Sequence, residues 1–144
     1  MNSLDSNILF YSVHSGAPEF EKASAVVRQL LQKPKEWIIA DQVLWEFYVL
    51  MRRPGLLEKP FNSGEATQRI RFLRHESGAA NCTYPSKAFD TVLAKLESRD
   101  HPYRRTFDTI LGETLQHHGV TKFFTRNKKD FQQFNFESLN PIDN

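Results

Sequence analysis

A single cysteine, Cys82, stands in the whole sequence of 144 residues. One thiol closes no intrachain disulfide and builds no cysteine-rich zinc site, so a reducing compartment is the natural setting. No stretch offers the ~18 continuous apolar residues that a membrane helix needs. The first residues also lack the basic-then-apolar order of a secretion signal, because Asp5 interrupts them at once. These absences predict a cytoplasmic protein. Excess charge of one sign is scarce as well: 19 Lys and Arg against 17 Asp and Glu leave +2, too little to demand a polyanionic partner, although a pI near 8.7 permits one. Internal repeats and low-complexity tracts are missing, which excludes solenoids and linkers.

What is present is an ordinary globular composition, 40% hydrophobic and 25% charged, with twelve Phe. At this length one domain, residues 1–144, is expected. Punctuation by Gly and Pro divides the chain into short elements. Asn2 to Asp5 reads as a strand, followed by a helix with Ile8, Leu9 and Tyr11. Glu19 to Gln32 is an amphipathic helix on Phe20, Ala23, Val26, Val27, Leu30 and Leu31, ended by Pro34. Trp37 to Ala40 is a strand, and Asp41 begins a helix holding Val43, Leu44, Phe47 and Met51. Ser63 is placed to cap a helix running to about His75. Ala79 to Thr83 is a third strand, and Ser86 caps a helix through Val92, Leu93 and Leu96.

Thr106 to Phe131 is the stretch that organises the chain. Asp108 stands at the start of a helix on Ile110, Leu111 and Leu115, Gly119 ends it, and Val120 to Phe124 forms a buried strand. Phe134 to Leu139 is expected as a last edge strand. Short strands alternating with helices predict an α/β fold, a three-layer α/β/α arrangement with a mainly parallel central sheet, because parallel neighbours need helical crossovers.

In such a sheet the carboxyl ends of the strands gather ligands. Asp5 follows the first strand, Glu46 lies in the helix after the second, Asp108 opens the helix before the fourth, and Asp130 follows the fourth. Clustered carboxylates raise one another's pKa unless a counter-charge is supplied. A divalent cation supplies it, and an oxygen-only donor set suits Mg²⁺ or Mn²⁺, ions that promote phosphodiester hydrolysis. Each acid also has a plainer reading. Asp5 and Asp108 can cap helices, Glu46 can pair with Arg52 or Arg53 at a rim, and Asp130 can be a solvated loop acid. A non-catalytic binding module with a vestigial or structural ion site, and a receiver phosphorylated on Asp, are the alternatives from other classes.

Three segments carry a resemblance. Leu4-Asp5-Ser6-Asn7-Ile8-Leu9-Phe10-Tyr11, Val43-Leu44-Trp45-Glu46-Phe47-Tyr48 and Thr125-Arg126-Asn127-Lys128-Lys129-Asp130-Phe131, with Asp108 between the last two, resemble in order and spacing the motifs of PIN-domain nucleases of the VapC toxin type. The resemblance implies a PIN-like fold and a Mg²⁺-dependent endoribonuclease leaving 5′ phosphate and 3′ hydroxyl ends. It also implies a homodimer held inactive by a cognate antitoxin. By the same resemblance Asp5, Glu46, Asp108 and Asp130 are the metal-holding, catalytic acids, and Ser6, Asn7, Thr125 and Asn127 support them. Asp41 stands where a hydroxyl residue is common, as a fifth acid or a helix cap. Glu113, about 140° around the helix from Asp108, is expected to point elsewhere.

The histidines show no ligand spacing, Cys82 reads as a small buried apolar residue, and Phe123 and Phe124 read as core, with Phe131 open between core and base stacking. Basic residues flank two of the acids: Arg104 and Arg105 precede Asp108, while Arg126 and Lys128 precede Asp130. They are the candidate RNA contacts, since RNA needs cations around an acidic site that would otherwise repel it.

Overall fold

The computed structural model describes residues 1–98 and 100–143. Among these residues five strands appear: β1 (Asn2–Leu4), β2 (Ile38–Ala40), β3 (Ala80–Cys82), β4 (Lys122–Phe124) and β5 (Glu137–Leu139). All pairings are parallel: β1 with β4, β4 with β5, and β2 with β3. A single parallel bridge between Asn2 and Trp37 joins the two sets, giving the spatial order β3-β2-β1-β4-β5. The chain runs outward from β1 through β2 to β3, then crosses to β4 and β5 on the other side. β1 is therefore where the strand order reverses, and its carboxyl end is where such sheets open a crevice.

The polar residues of β1 have a structural cause. Ser3 is fully buried, and its hydroxyl donates to the Ile38 carbonyl at 2.6 Å. That bond fastens the two halves of the sheet where the regular ladder is only one bridge wide. Trp37, also buried, stacks on Phe124 with ring centroids 5.4 Å apart and covers the same seam.

Among the described residues six α-helices make the crossovers: α1 (Ser6–Tyr11), α2 (Phe20–Gln32), α3 (Asp41–Arg52), α4 (Ser63–Arg71), α5 (Phe89–Leu96) and α6 (Thr106–His117). α1 packs on both α2 and α3, α3 packs on α4, and α5 packs on α6, which also reaches β2. The expected α/β architecture with a parallel sheet is borne out. Boundaries differ locally. Asn62, not Ser63, caps α4, in a reciprocal capping box with Glu65. The same helix passes into a wider π-type turn over Phe72–Glu76 instead of continuing regularly to His75. Ser86 opens a 3₁₀ turn ahead of α5 and makes no side-chain cap. No helix among the described residues is long and apolar enough to cross a membrane.

α6 ends as its sequence predicts. Gly119 takes φ +75°, the Val120 N–H reaches the Leu115 carbonyl at 3.1 Å and the Gly119 N–H reaches Gln116 at 3.2 Å. This is a Schellman closure, and it aims the chain straight into β4. Beneath β4 the rings of Phe123, Phe131, Phe134 and Phe136 form one cluster, with Phe123 and Phe131 edge to face at 4.9 Å. Phe131 is fully buried there and belongs to the core. Gly112 on α6 lies flat against this cluster, and a Cβ at that position would stand well inside contact distance of the Phe134 ring. Gly112→Ala is therefore expected to destabilise the fold by about 1–3 kcal/mol, despite the better helix propensity of Ala. Denaturant unfolding measures it, and an unchanged or raised midpoint would contradict the packing described.

Candidate metal centre

Asp5 is the first residue past β1. Its backbone N–H continues the ladder to the Phe124 carbonyl at 2.9 Å, so the strand itself fixes where its Cα lies. Its side chain then caps α1, accepting the Ser6 N–H at 2.7 Å. The capping reading is thus correct for Asp5, but capping uses one carboxylate oxygen. The other, Oδ2, accepts from the Thr125 hydroxyl at 2.8 Å and, more weakly, from the Asn7 amide at 3.4 Å. Thr125, fully buried at the end of β4, also accepts the Asn127 N–H at 3.0 Å. Of the supporting residues the motif implies, Ser6, Asn7 and Thr125 hydrogen-bond Asp5, and Asn127 meets Thr125 through its backbone N–H.

Glu46 lies on α3 beside the buried positions Val43, Leu44 and Phe47 and faces this carboxylate. Its Oε2 accepts from the Ser6 hydroxyl at 3.1 Å. Ser6 Oγ is also 3.4 Å from Asp5 Oδ1. One hydroxyl proton thus stands between two acids, and it can serve only one at a time. Among the described residues Glu46 has no Arg or Lys partner, and Arg52 instead donates to the Tyr48 hydroxyl at 2.9 Å. Gln42, one helical turn before Glu46, donates to its Oε1 at 3.0 Å and to the Phe107 carbonyl at 3.0 Å. This amide ties α3 to the first turn of α6, next to Asp108. Gln42 lies outside the motif residues, although its i, i+4 spacing to Glu46 is a legible pairing signal.

Asp108 and Asp130 complete the group. Asp108, half-buried in the first turn of α6, has its carboxyl pushed up to about 6, first by burial and then by the charges of Asp130, Asp5 and Glu46, with Arg105 acting the other way. The same repulsion runs through Asp5, also pushed up to about 6, by burial first and by Glu46, against the hydrogen bond from Thr125. Asp130 is paired with Arg105 at 3.1 Å. Four acids from four separate segments therefore share one field. Among the described residues, no three such groups yet enclose a common point as metal ligands do. The donor set nevertheless suits a hard divalent cation: it is all oxygen, its members repel one another, and Arg105 is their only counter-charge in the described structure.

Two further acids lie apart. Asp41 pairs with Arg74 at 3.1 Å and is not a fifth member of the group. Glu113 is buried against Lys95, whose ammonium lies 4.3 Å from the centre of the Phe134 ring, and it points away from Asp108 as its helical position requires. Cys82 is buried, and its thiol is pushed up to about 12, first by burial and then by Asp41. Of the four basic residues expected at RNA, Arg104, Arg105 and Lys128 are exposed, whereas Arg126 is half-buried and engaged within the chain. Beside Glu46 opens a cleft of about 720 Å³, apolar on most of its wall, with Trp45, Leu93 and Phe107 among its residues.

A parallel α/β sheet with acids gathered at its reversal point is compatible with a metal-dependent nuclease domain, and the PIN-domain family model matches residues 3–137; the chain belongs to that family. Ribonuclease VapC24 of Mycobacterium tuberculosis is 34% identical to it over 140 residues, covering 96% of this chain and 94% of the relative, in each of two strains. Solved structures share the fold at low identity. The Mycobacterium tuberculosis toxin VapC20, described as cleaving the sarcin-ricin loop, superposes with a TM-score of 0.63 at 13% identity, covering 85% of this chain and 87% of that one. FitAB bound to a DNA fragment gives 0.66 at 14%, covering 100% and 97%. FitAcB from Neisseria gonorrhoeae gives 0.62 at 16%, covering 98% of each.

The raised acids carry a pH signature. Between about pH 4 and pH 6 folded Asp5 keeps a proton that the unfolded chain has released, so the metal-free protein loses stability as pH rises through that window. A shift of this size corresponds to about 3 kcal/mol for Asp5, at ~1.4 kcal/mol per unit. Thermal unfolding in EDTA is expected to show the decline, and Asp5→Asn to flatten it. A stability that rises with pH across the window in wild type would contradict the buried, repelled state of Asp5.

Proposed function

We propose that this chain is a divalent-metal-dependent endoribonuclease, acting as one domain in the cytoplasm, and the toxin of a toxin–antitoxin pair. The observation that carries the reading is the convergence of Asp5, Glu46, Asp108 and Asp130 at the reversal point of the sheet, in a chain one-third identical to a named ribonuclease along nearly its whole length. These four acids are the proposed catalytic and metal-holding set, for Mg²⁺ or Mn²⁺. When bound, such an ion supplies Lewis acidity toward a phosphodiester and toward water. The chain's own residues do the rest. Thr125, Asn7 and the Ser6 N–H fix the Asp5 carboxylate, and Gln42 fixes that of Glu46. The Ser6 hydroxyl, poised between Asp5 and Glu46, lets either acid take the hydrogen bond as charge at the site changes. Arg105 draws Asp130 toward the group.

Exposed Arg104, Arg105 and Lys128 supply the positive rim that an RNA backbone needs beside so many carboxylates. The guanidinium of Arg126 is already shared among internal acceptors, so RNA contact rests on the other three. Trp45, Phe89, Leu93 and Phe107 are 65%, 56%, 47% and 68% exposed around the apolar cleft. Apolar surface of this kind supports burial by protein, in keeping with the FitAB and FitAcB complexes among the fold neighbours. We assign to this chain a cognate antitoxin and a second copy of itself as partners.

Cleavage of a mixed structured RNA pool, in Mg²⁺, Mn²⁺ or EDTA, tests the activity. Wild type is expected to cut with either metal and not in EDTA, and Asp108→Asn to be silent in all three. Equal cutting by wild type and Asp108→Asn would assign the activity to a contaminant. A silent wild type that also fails to bind metal would favour the non-catalytic module. Light scattering of the purified chain is expected to give twice the 16.8 kDa chain mass, and a monomer at micromolar concentration would refute the dimer.

A further inference from the structure

Arg126 directly follows Thr125, the residue whose hydroxyl holds Asp5. Each nitrogen of Arg126 and its carbonyl oxygen is engaged. Its guanidinium donates through Nε to Asp143 Oδ2 at 3.1 Å and through Nη2 to Asp143 Oδ1 at 3.2 Å, a two-pronged pairing. It also donates through Nη1 to the Tyr11 hydroxyl at 2.6 Å and through Nη2 to Glu19 at 3.4 Å, and it lies 5.2 Å over the Tyr11 ring. Its carbonyl accepts from the Asn140 amide at 3.2 Å, and its N–H donates to Asn7 Oδ1 at 3.2 Å. Asn140 is itself fixed. Its Nδ2 reaches Asp143 Oδ2 at 3.1 Å, its Oδ1 accepts the N–H groups of Ile142 and Asp143, and the Ile142 side chain between them is buried.

We propose that Asn140–Asp143 and Arg126 form a strap that positions the Asp5 carboxylate by holding the Thr125–Asn127 turn and Asn7 in place. Two short routes lead from the strap to Asp5 Oδ2. One runs from Arg126 N–H to Asn7 Oδ1 and from Asn7 Nδ2 to Asp5. The other runs through the backbone to Thr125, whose N–H is held by the Leu139 carbonyl at 2.8 Å and whose hydroxyl donates to Asp5. Arg126 and Asp143 are positioning residues, since neither touches Asp5. Isolated exposed ion pairs contribute little, but a forked Arg–carboxylate pair inside a network of this size holds its geometry. The strap also accounts for Tyr11 and Glu19, which brace the guanidinium from α1 and from the residue before α2. The inference rests on Asp5 being one of the acids that hold the metal.

The test reads Asp5 itself, independently of catalysis. In the metal-free full chain, Asp143→Ala and Asn140→Ala are expected to move the Asp5 carboxyl ¹³C signal and the Thr125 amide, while the Glu113 signal, buried against Lys95, stays in place. Asp143→Glu is expected to restore the Asp5 signal. Mn²⁺ affinity is expected to fall by about 10-fold or more in the two alanine variants, the range seen when groups behind metal ligands are removed. In the RNA assay kcat is expected to fall with KM nearly unchanged. An unmoved Asp5 signal with unchanged Mn²⁺ affinity overturns the strap, whatever happens to thermal stability. A rise in KM alone makes this face an RNA contact and overturns it equally. Absence of RNA cleavage in wild type defeats the nuclease reading instead, and the Asp5 signal still decides the strap.

Discussion

Mutual repulsion among carboxylates is the constraint on which this structure turns. Asp5 cannot move away from it, because its backbone is the last rung of the β1–β4 ladder and its side chain caps α1. Burial raises the cost of its charge, and Glu46 raises it further. A fold selected for stability alone would replace one of these acids or pair each with a base. Here one arginine, Arg105, faces the group, and the other strong cation nearby, Arg126, is turned away toward Glu19 and Asp143. The uncompensated charge is what a divalent cation at the reversal point of the sheet would neutralise.

The rest of the molecule keeps those acids from relaxing apart. The buried Ser3 hydroxyl stitches β1 to β2, so that α3 and Glu46 stay against Asp5. Gln42 bridges α3 to the start of α6 and keeps Glu46 beside Asp108. The Schellman closure at Gly119 aims β4 so that Thr125 arrives under Asp5, and the Phe cluster below anchors the turn that carries Asp130. Gly112 lets α6 lie close on that cluster. Stability and site geometry are thus coupled through the same few contacts.

Much of this was legible in the sequence because it is local. The alternation of short strands with helices, the stop at Gly119 and the acid after the first strand each follow from neighbouring residues, and together they placed the sheet edge and its acids. The orientation of Glu113 followed from helical geometry alone. Local pattern falls short where the deciding partner is remote or where two residues can play one role. Asn62 took the cap assigned to Ser63, one residue away. The sequence leaves Asp41 between a fifth acid and a helix cap, and its partner Arg74 lies in another helical segment. The charge of Arg126 suggests an RNA contact, while the residues that engage it within the chain, Glu19, Tyr11 and Asp143, are 107, 115 and 17 positions distant. Local pattern shows that a cation is present. It does not show where the cation is spent.

Anomalous diffraction from crystals of the whole chain soaked in Mn²⁺ tests the central claim most directly. The account predicts a peak at the carboxyl end of β1, within coordination distance of Asp5 and of at least one oxygen from Glu46, Asp108 or Asp130, and its loss in Asp5→Asn. A saturated soak with no peak there, or an equal peak in the variant, would contradict it and leave the four acids as caps and surface charges.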